Sequence, residues 1–507
     1  MKWFLALALL VGAGTAARAG ETVERLTLKE AVAMAAERNL DARAELYTVA
    51  QSVADLERSQ AIYDPALSFQ TQYYYTPVDT QSPGIPVVTA PTVPGESVVA
   101  QEDPDPDSEN VQLNVSLSRL LPSGGTVAAV FNNQYTSATM PNSTLDSYWY
   151  NLLGLTYVQP LLKNFGRETT ELQIAVSRIS RDASLEHFRS SLAAIVSQVR
   201  TEYFRLYSLR EALQVKQASL ELARKILSET QSRFKAGVVP ALEILNAEFG
   251  VASREKDLND AEKLVQDQID ALRVLLQLPA GVDIAVVDAP QIDRLAVDEA
   301  AQIRRALDRP DILEQRKNLE IAELQARIDS NRIRPDLSVN ASTFLTSQDS
   351  DYLGSVADTP TWSVGLTFSY PFGNGAAEND YRKSRLRADQ TALRIKSLEE
   401  SAANEVRAAI RAMTVSAKQI EVTDRGRAFA EDRLRAFIRK SEVGMATTKE
   451  VLDAETDLME AKNGRIQAAA DYIGAVTRLW TVTGELIEQS GIRITGEAAD
   501  RLYGEVR

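Results

Sequence analysis

The chain has 507 residues, 44% of them hydrophobic and 25% charged, and its 70 acidic against 56 basic side chains leave a formal charge of −14. The basic residues are scattered through charged segments rather than clustered, which argues against nucleic acid as a partner. With no cysteine there are no disulfides, thiolate metal sites or lipid-accepting cysteine, and the single histidine, His187, reads as a surface or packing residue rather than a ligand or general base.

The N-terminus, MKWFLALALLVGAGTAARAGE, has one lysine, an apolar run and the small-x-small site Ala17-Arg18-Ala19, so residues 1–19 are expected to be an export signal. No later run of about 18 apolar residues could anchor the chain as a membrane helix. A helix is expected from about Leu28 to Tyr63, stopped by Pro65, because proline lacks the backbone donor and pushes its predecessor towards extended geometry. Period-two alternation follows in Leu67, Phe69, Thr71, Tyr73 and Tyr75. A long Pro-, Asp- and Ser-rich stretch from Thr76 to Asn110 reads as an irregular loop outside the cell.

Alternation resumes with Val111, Leu113, Val115 and Leu117, and GTVAAVFNNQY and YWYNLLGLTYV add two more candidate strands, the last closed by Pro160. A helix of roughly 100 Å is expected from Glu168 to Ala236. Its apolar residues Leu185, Leu192, Val199, Leu206, Leu213, Leu220, Leu227 and Phe234 recur every seven positions, a coiled-coil seam. Gly237 ends it, and a further helix runs from Pro240 to Leu278.

The order then repeats. Pro335, Leu337 and Ser338 answer Pro65, Leu67 and Ser68; Gly365 and Pro371 answer Gly154 and Pro160; and VGMATTKEVLDAE, Val443 to Glu455, answers AGVVPALEILNAE, Ala236 to Glu248. Trp362, Val364, Leu366, Phe368 and Tyr370 form the matching strand, and Val406, Met413, Ile420 and Leu434 the matching seam, interrupted by Arg427. The layout is therefore a first unit over 20–290, a second over 291–484 and a tail over 485–507. Barrel strands are expected near 66–76, 110–158, 336–346 and 361–370. Taken singly, each strand fits a soluble half-buried sheet; repetition in both units beside an export signal decides for a membrane barrel with a wet interior. Four to six strands per chain cannot close even the smallest such barrel, so several chains must share one.

The duplicated unit, the joints YVQPLLKNFGRE and YPFGNGAA and the tips FKAGVVPALEILNAE and SEVGMATTKEVLDAE resemble the TolC family of outer-membrane efflux channels over essentially the whole mature chain. The resemblance implies a mainly α fold with a membrane β-barrel. In it, long coiled-coil hairpins form a periplasmic tunnel beneath a trimeric outer-membrane barrel, with a belt built from linkers like Pro279 to Asp298 and the C-terminal tail. It implies a passive exit duct in the outer membrane of a Gram-negative bacterium, in contact with outer-membrane lipid. A periplasmic adaptor (membrane fusion) protein and an inner-membrane pump or type I secretion transporter would be its partners.

The residues expected to meet the adaptor are Gly237, Val238, Val239, Gly444, Met445 and Ala446, against the alternative that each glycine only turns the chain. Glu450, Asp453 and Glu243 match the acidic residues that narrow the periplasmic entrance. Glu450 and Asp453 share one helix face, and a threefold axis would gather such carboxylates into a cation-favouring ring; ordinary solvated helix acids are the alternative. Ser441 and Ala446 stand where better-known members use tyrosine and arginine to lock that entrance. No nucleophile motif, metal cluster or phosphate loop is present, so no enzymatic activity, cofactor or metal is expected. The competing reading is a periplasmic adaptor or structural coiled-coil protein without its own pore.

Overall fold

The computed structural model describes residues 23–76, 87–88, 99–100, 108–138, 147–292, 295–350, 352, 359–492, 494 and 497–506. The export signal expected over 1–19 and most of the loop expected after Thr76 lie outside the described residues. In chain order the elements are β1 (Val23–Leu26), α1 (Leu28–Arg38), α2 (Leu40–Gln60), β2 (Ala66–Thr76) and the short pair β3 (Val87–Val88) and β4 (Val99–Ala100). Then come β5 (Ser108–Leu120), β6 (Thr126–Ala138), β7 (Ser147–Pro160), α3 (Arg167–Thr170), α4 (Leu172–Lys235), α5 (Ala241–Leu276) and β8 (Asp283–Val286). The second repeat supplies α6 (Glu299–Ala306), α7 (Pro310–Arg332), β9 (Asp336–Asp349), β10 (Thr359–Ser369), α8 (Gly375–Glu442) and α9 (Thr448–Thr483), before α10 (Leu486–Gln489) and α11 (Glu497–Val506).

The described residues pack as two compact units, each drawn from both repeats: one from within 23–51, 183–315 and 394–506, the other from within 52–182 and 316–393. In the first unit much of the expected seam lies in the core, although Phe234 at its end is exposed and Leu185, Leu213 and Leu227 are half-buried. Leu192, Val199, Leu206 and Leu220 of α4 are buried, as are Val406, Met413, Ile420 and Leu434 of α8. Ile269, Leu272 and Leu276 of α5 and Val476 and Leu479 of α9 share one core with Leu192, Val199, Leu206, Val406, Met413 and Ile420, while Leu434 packs in a second cluster with Val451 and Ala454. Strands β1 and β8 pair in parallel, Val23 opposite Asp283 through Leu26 opposite Val286. The fully buried Tyr203 holds that ladder: its hydroxyl donates to the Leu26 carbonyl at 2.8 Å and accepts from the amides of Val287 and Asp288 at 3.1 and 3.0 Å.

The helix expected without interruption from Leu28 to Tyr63 is instead broken at Asn39. Its side-chain oxygen accepts from the amides of Asp41 and Ala42 at 2.9 and 3.1 Å, capping α2, while its amide donates to the Leu275 carbonyl at 3.1 Å. An asparagine that satisfies the free donors of a new helix start makes the break favourable. Likewise α5 stops at Leu276 because Gln277 takes a left-handed conformation with φ 55°.

The second unit holds one six-stranded sheet of order β10-β9-β7-β6-β5-β2, every pair antiparallel. Of the four to six strands expected, all six are present. Register gives the sheet two unlike faces, since directly paired residues share a side. One carries Leu67, Phe69, Val115, Phe131, Leu153 and Leu366; the other carries Ser68, Gln70, Asn114, Asn132, Ser342 and Ser363. On the apolar face of the two edge strands, Leu67 is 72% exposed and Trp362 78%. Burying such residues against water is what folding normally does, at about 25 cal/mol per Å², so this face is built for a non-aqueous neighbour.

Candidate functional site

Both hairpin turns lie in the first unit and close the same way. After α4, the Gly237 amide donates to the Phe234 carbonyl and the Val238 amide to the Arg233 carbonyl, both at 2.9 Å. After α8, the Gly444 amide donates to Ser441 at 3.0 Å and the Met445 amide to Lys440 at 2.8 Å. This pair of bonds satisfies the last free carbonyls of a helix and needs a left-handed residue at the turn. Gly237 and Gly444 supply it with φ 74° and 75°. A Cβ at either glycine would meet nothing within 4 Å, so backbone angle and not space selects glycine.

Around the turns, apolar side chains are left uncovered. Val238 is 67% exposed, Met445 77% and Phe249 77%, with Leu242 and Leu245 also exposed on the same helix as Phe249. Leu242, Leu245 and Phe249 are three and four apart and so form one stripe on α5. Of the expected contact residues, Val239 and Ala446 are half-buried beside this surface.

The three acids expected at the entrance do unlike things. Glu450 is the third residue of α9 and forms a capping box: the Thr447 amide donates to its carboxylate at 2.8 Å, and the Glu450 amide donates to the Thr447 hydroxyl at 3.3 Å. The backbone bond from Thr447, then its hydroxyl, lower the Glu450 pKa below the usual glutamate value. Glu243, in the first turn of α5, accepts from the amide of Thr448 at 3.0 Å, so it satisfies a free donor at the start of α9. Asp453 is exposed and makes no hydrogen bond or ion pair among the described residues. Spacing alone treated Glu450 and Asp453 as equals; the Thr-x-x-Glu signature at 447–450 would have separated them.

Other contacts tie the two tips together and were not foreseen. Arg254 of α5 donates to Glu455 of α9 at 2.7 Å, to the Leu452 carbonyl at 3.3 Å and to the Thr456 hydroxyl at 2.7 Å, with both charged side chains nearly buried. Arg233 donates to the carbonyl and hydroxyl of Ser441 at 2.5 and 3.3 Å. Ser441, expected at one of the lock positions, is held within its own chain. Gly250 lets α5 approach α9 closely, since a Cβ there would fall 2.9 Å from a methyl of Leu452.

With this geometry in view, residues 107–277 and 303–485 match the model of the outer membrane efflux protein family. The chain belongs to that family. Membership carries an outer-membrane location and an efflux role, as against a periplasmic adaptor. Among curated relatives, it is 24% identical over 404 residues to outer membrane protein TolC of Escherichia coli, covering 76% of this chain and 79% of that one. It is 20% identical over 362 residues to the outer membrane efflux protein BepC of Brucella suis, covering 71% and 78%. Among solved structures, the Campylobacter jejuni CmeC outer membrane channel superposes with a TM-score of 0.67 at 15% identity, over 94% of this chain and 89% of that one. The fold is thus that of the outer-membrane channels, a helical tunnel element joined to a β-domain.

Proposed function

We propose that three copies of the chain join their sheets into one barrel and serve as the passive exit duct of an efflux assembly, the tips receiving a periplasmic adaptor and, through it, an inner-membrane pump or type I secretion transporter. The observation that carries this reading is the pair of open sheet edges, β2 and β10. An unpaired edge exposes a row of free amides and carbonyls, which in a lipid membrane costs several kcal/mol per group. With six alternating strands the two edges run in opposite directions, so β10 of one copy meets β2 of the next in the antiparallel sense that the rest of the sheet uses. The sheet's apolar face then meets lipid.

Particle mass in mild detergent and in native membrane extracts tests assembly. Three chains are expected, and a monodisperse monomer in both overturns the reading. For docking, side chains as large as Trp at Gly237 and Gly444 are expected to weaken crosslinking to an adaptor while leaving the trimer intact; unchanged crosslinking and export would leave the glycines a turn role only.

The entrance ring is assigned mainly to Asp453, because Glu450 and Glu243 are engaged at the start of α9. Replacing Asp453 by Asn is expected to reduce cation preference and block by divalent ions in single-channel recordings, with no loss of folded trimer. Equal selectivity and equal block in variant and parent would return Asp453 to the ordinary solvated acids.

A further inference from the structure

We propose, resting on the trimeric reading above, that the barrel of this protein is an eighteen-stranded pore about 36 Å across at the backbone whose wall, among the described strand residues, is uncharged beyond Asp336 at the start of β9, so that neither charge nor width selects cargo along the strands. The second repeat contributes two strands, β9 and β10, between its helices α7 and α8. In the first repeat their counterparts are β2, which follows Pro65 as β9 follows Pro335, and β7, which ends at Pro160 ahead of the long helix. Hairpin β5–β6 has no counterpart and lies between them.

The ladder shows where the extra hairpin goes. β2 pairs with β5 over eleven positions, Ala66 opposite Ser118 to Thr76 opposite Ser108, and β6 pairs with β7 from Thr126 opposite Val158 to Ser137 opposite Ser147. The hairpin is therefore inserted into the wall and does not fold over it. Its turn is fastened at the base of the sheet. Ser123 donates to the Gln159 side chain at 2.8 Å, Gln159 donates back to the Ser123 carbonyl at 3.0 Å, and the Gly166 amide donates to the same carbonyl at 2.9 Å. Gly124 sits so close to this joint that a Cβ would fall 2.2 Å from the Asn164 carbonyl oxygen. An inserted pair, unlike a single strand, also keeps the edges antiparallel for closure.

Three chains of six strands give eighteen, against twelve if each chain kept only the strands its repeat duplicates. For strands about 4.8 Å apart and tilted about 40°, the backbone diameters are about 36 and about 24 Å. At the larger size the pore keeps an aqueous channel after its side chains are placed, wider than an α-helix of about 10–12 Å. Among the described strand residues, the face turned inward carries amides, hydroxyls, tyrosines, Phe344 and a few aliphatic groups. Among the described strand residues of that face, the only charge is Asp336, at the first position of β9. Beyond Asp336 such a wall offers hydrogen bonds to passing cargo and little field along the strands to sort it by charge, in contrast to pores ringed throughout by acidic or basic side chains. Selection is then left to the periplasmic entrance.

The absence of native cysteine allows a direct measurement. Asn114→Cys in β5 and, separately, Thr367→Cys in β10 would each place one spin label per chain on the lumen face, and pulsed dipolar spectroscopy on the detergent-purified full-length assembly reads the side of the resulting triangle. About 31 Å between backbone positions is expected for eighteen strands, and about 21 Å, the value for twelve, would overturn the proposal. Using two sites keeps the measurement available if one variant assembles poorly. Native mass of the same particles separates the two ideas: a particle without three chains defeats the trimeric reading, whereas a trimer with the short distance defeats only the wide pore.

Discussion

The two hairpin tips end their first helices identically and start their second helices differently. Each of α4 and α8 closes on a left-handed glycine with the same two backbone bonds. Beyond the turn, α9 begins with a capping box from Thr447 and Glu450 and a third acceptor from Glu243, whereas α5 begins at Pro240, with no side-chain cap. Proline at the cap offers no side-chain acceptor, though its carbonyl takes the Glu243 amide at 3.0 Å, and its ring fixes the entry angle. The repeat has therefore kept the feature that reverses the chain and let the feature that stiffens its return diverge: the second tip is anchored, and the first supplies one of the anchors.

The largest effect is expected where the tips are joined by charge. Replacing Glu455 by Ala leaves the nearly buried Arg254 without its carboxylate and should cost about 3 kcal/mol, seen as loss of hydrogen-exchange protection in both α5 and α9 near the tips. Protection lost in α9 alone would break the picture of one tip bracing the other. Next, Gly237→Ala and Gly444→Ala should each cost about 1 kcal/mol, and equally, because both meet only the backbone penalty of a left-handed residue. Unequal costs would mean that the identical turns are not energetically identical.

Thr447→Ala should then remove about 1 kcal/mol from α9, while Pro240→Ser should add up to about 1 kcal/mol to α5 by providing the cap it lacks. Together these two changes would reverse the difference between the tips. The smallest effect is that of pH. Because the folded Glu450 has a pKa lowered by its bonds to Thr447, its contribution is present above the unfolded glutamate value of 4.5 and is lost as pH falls through the lower folded value. Fraying of the start of α9 should therefore increase as pH falls below the ordinary glutamate range, as read by exchange at mildly acidic and more acidic pH.

Much of this was legible from residues alone, and the exceptions have physical causes. Heptad spacing located the buried seam because a helix repeats its face nearly every seven residues, and Val199, Leu206, Val406 and Met413 are indeed buried. Gly237 and Gly444 were legible because few other residues accept a positive φ. Asn39 was missed as a helix break since the apolar pattern runs through it, although asparagine is a strong helix cap. The Arg254–Glu455 pair could not be read, as its partners lie 201 positions apart and Arg254 has nearer acids to choose from. Strand count stayed open between four and six because alternation identifies a strand but not its neighbour. Glu450 was found for its charge, and its structural duty was overlooked.

The parallel pairing of β1 with β8 bears on the order in which the protein matures. Leu26 finds its ladder partner Val286 only 260 residues later, and the Tyr203 hydroxyl that clasps both must also have arrived. Contacts of such sequence separation form slowly because the intervening chain must first be brought into place. During export the N-terminal end of the described chain therefore emerges with its ladder partner still to come, while the local turns at Gly237 and Gly444 need only their own neighbours. The clasp closes behind the hairpins, so the first described strand to be synthesised is among the last to be secured.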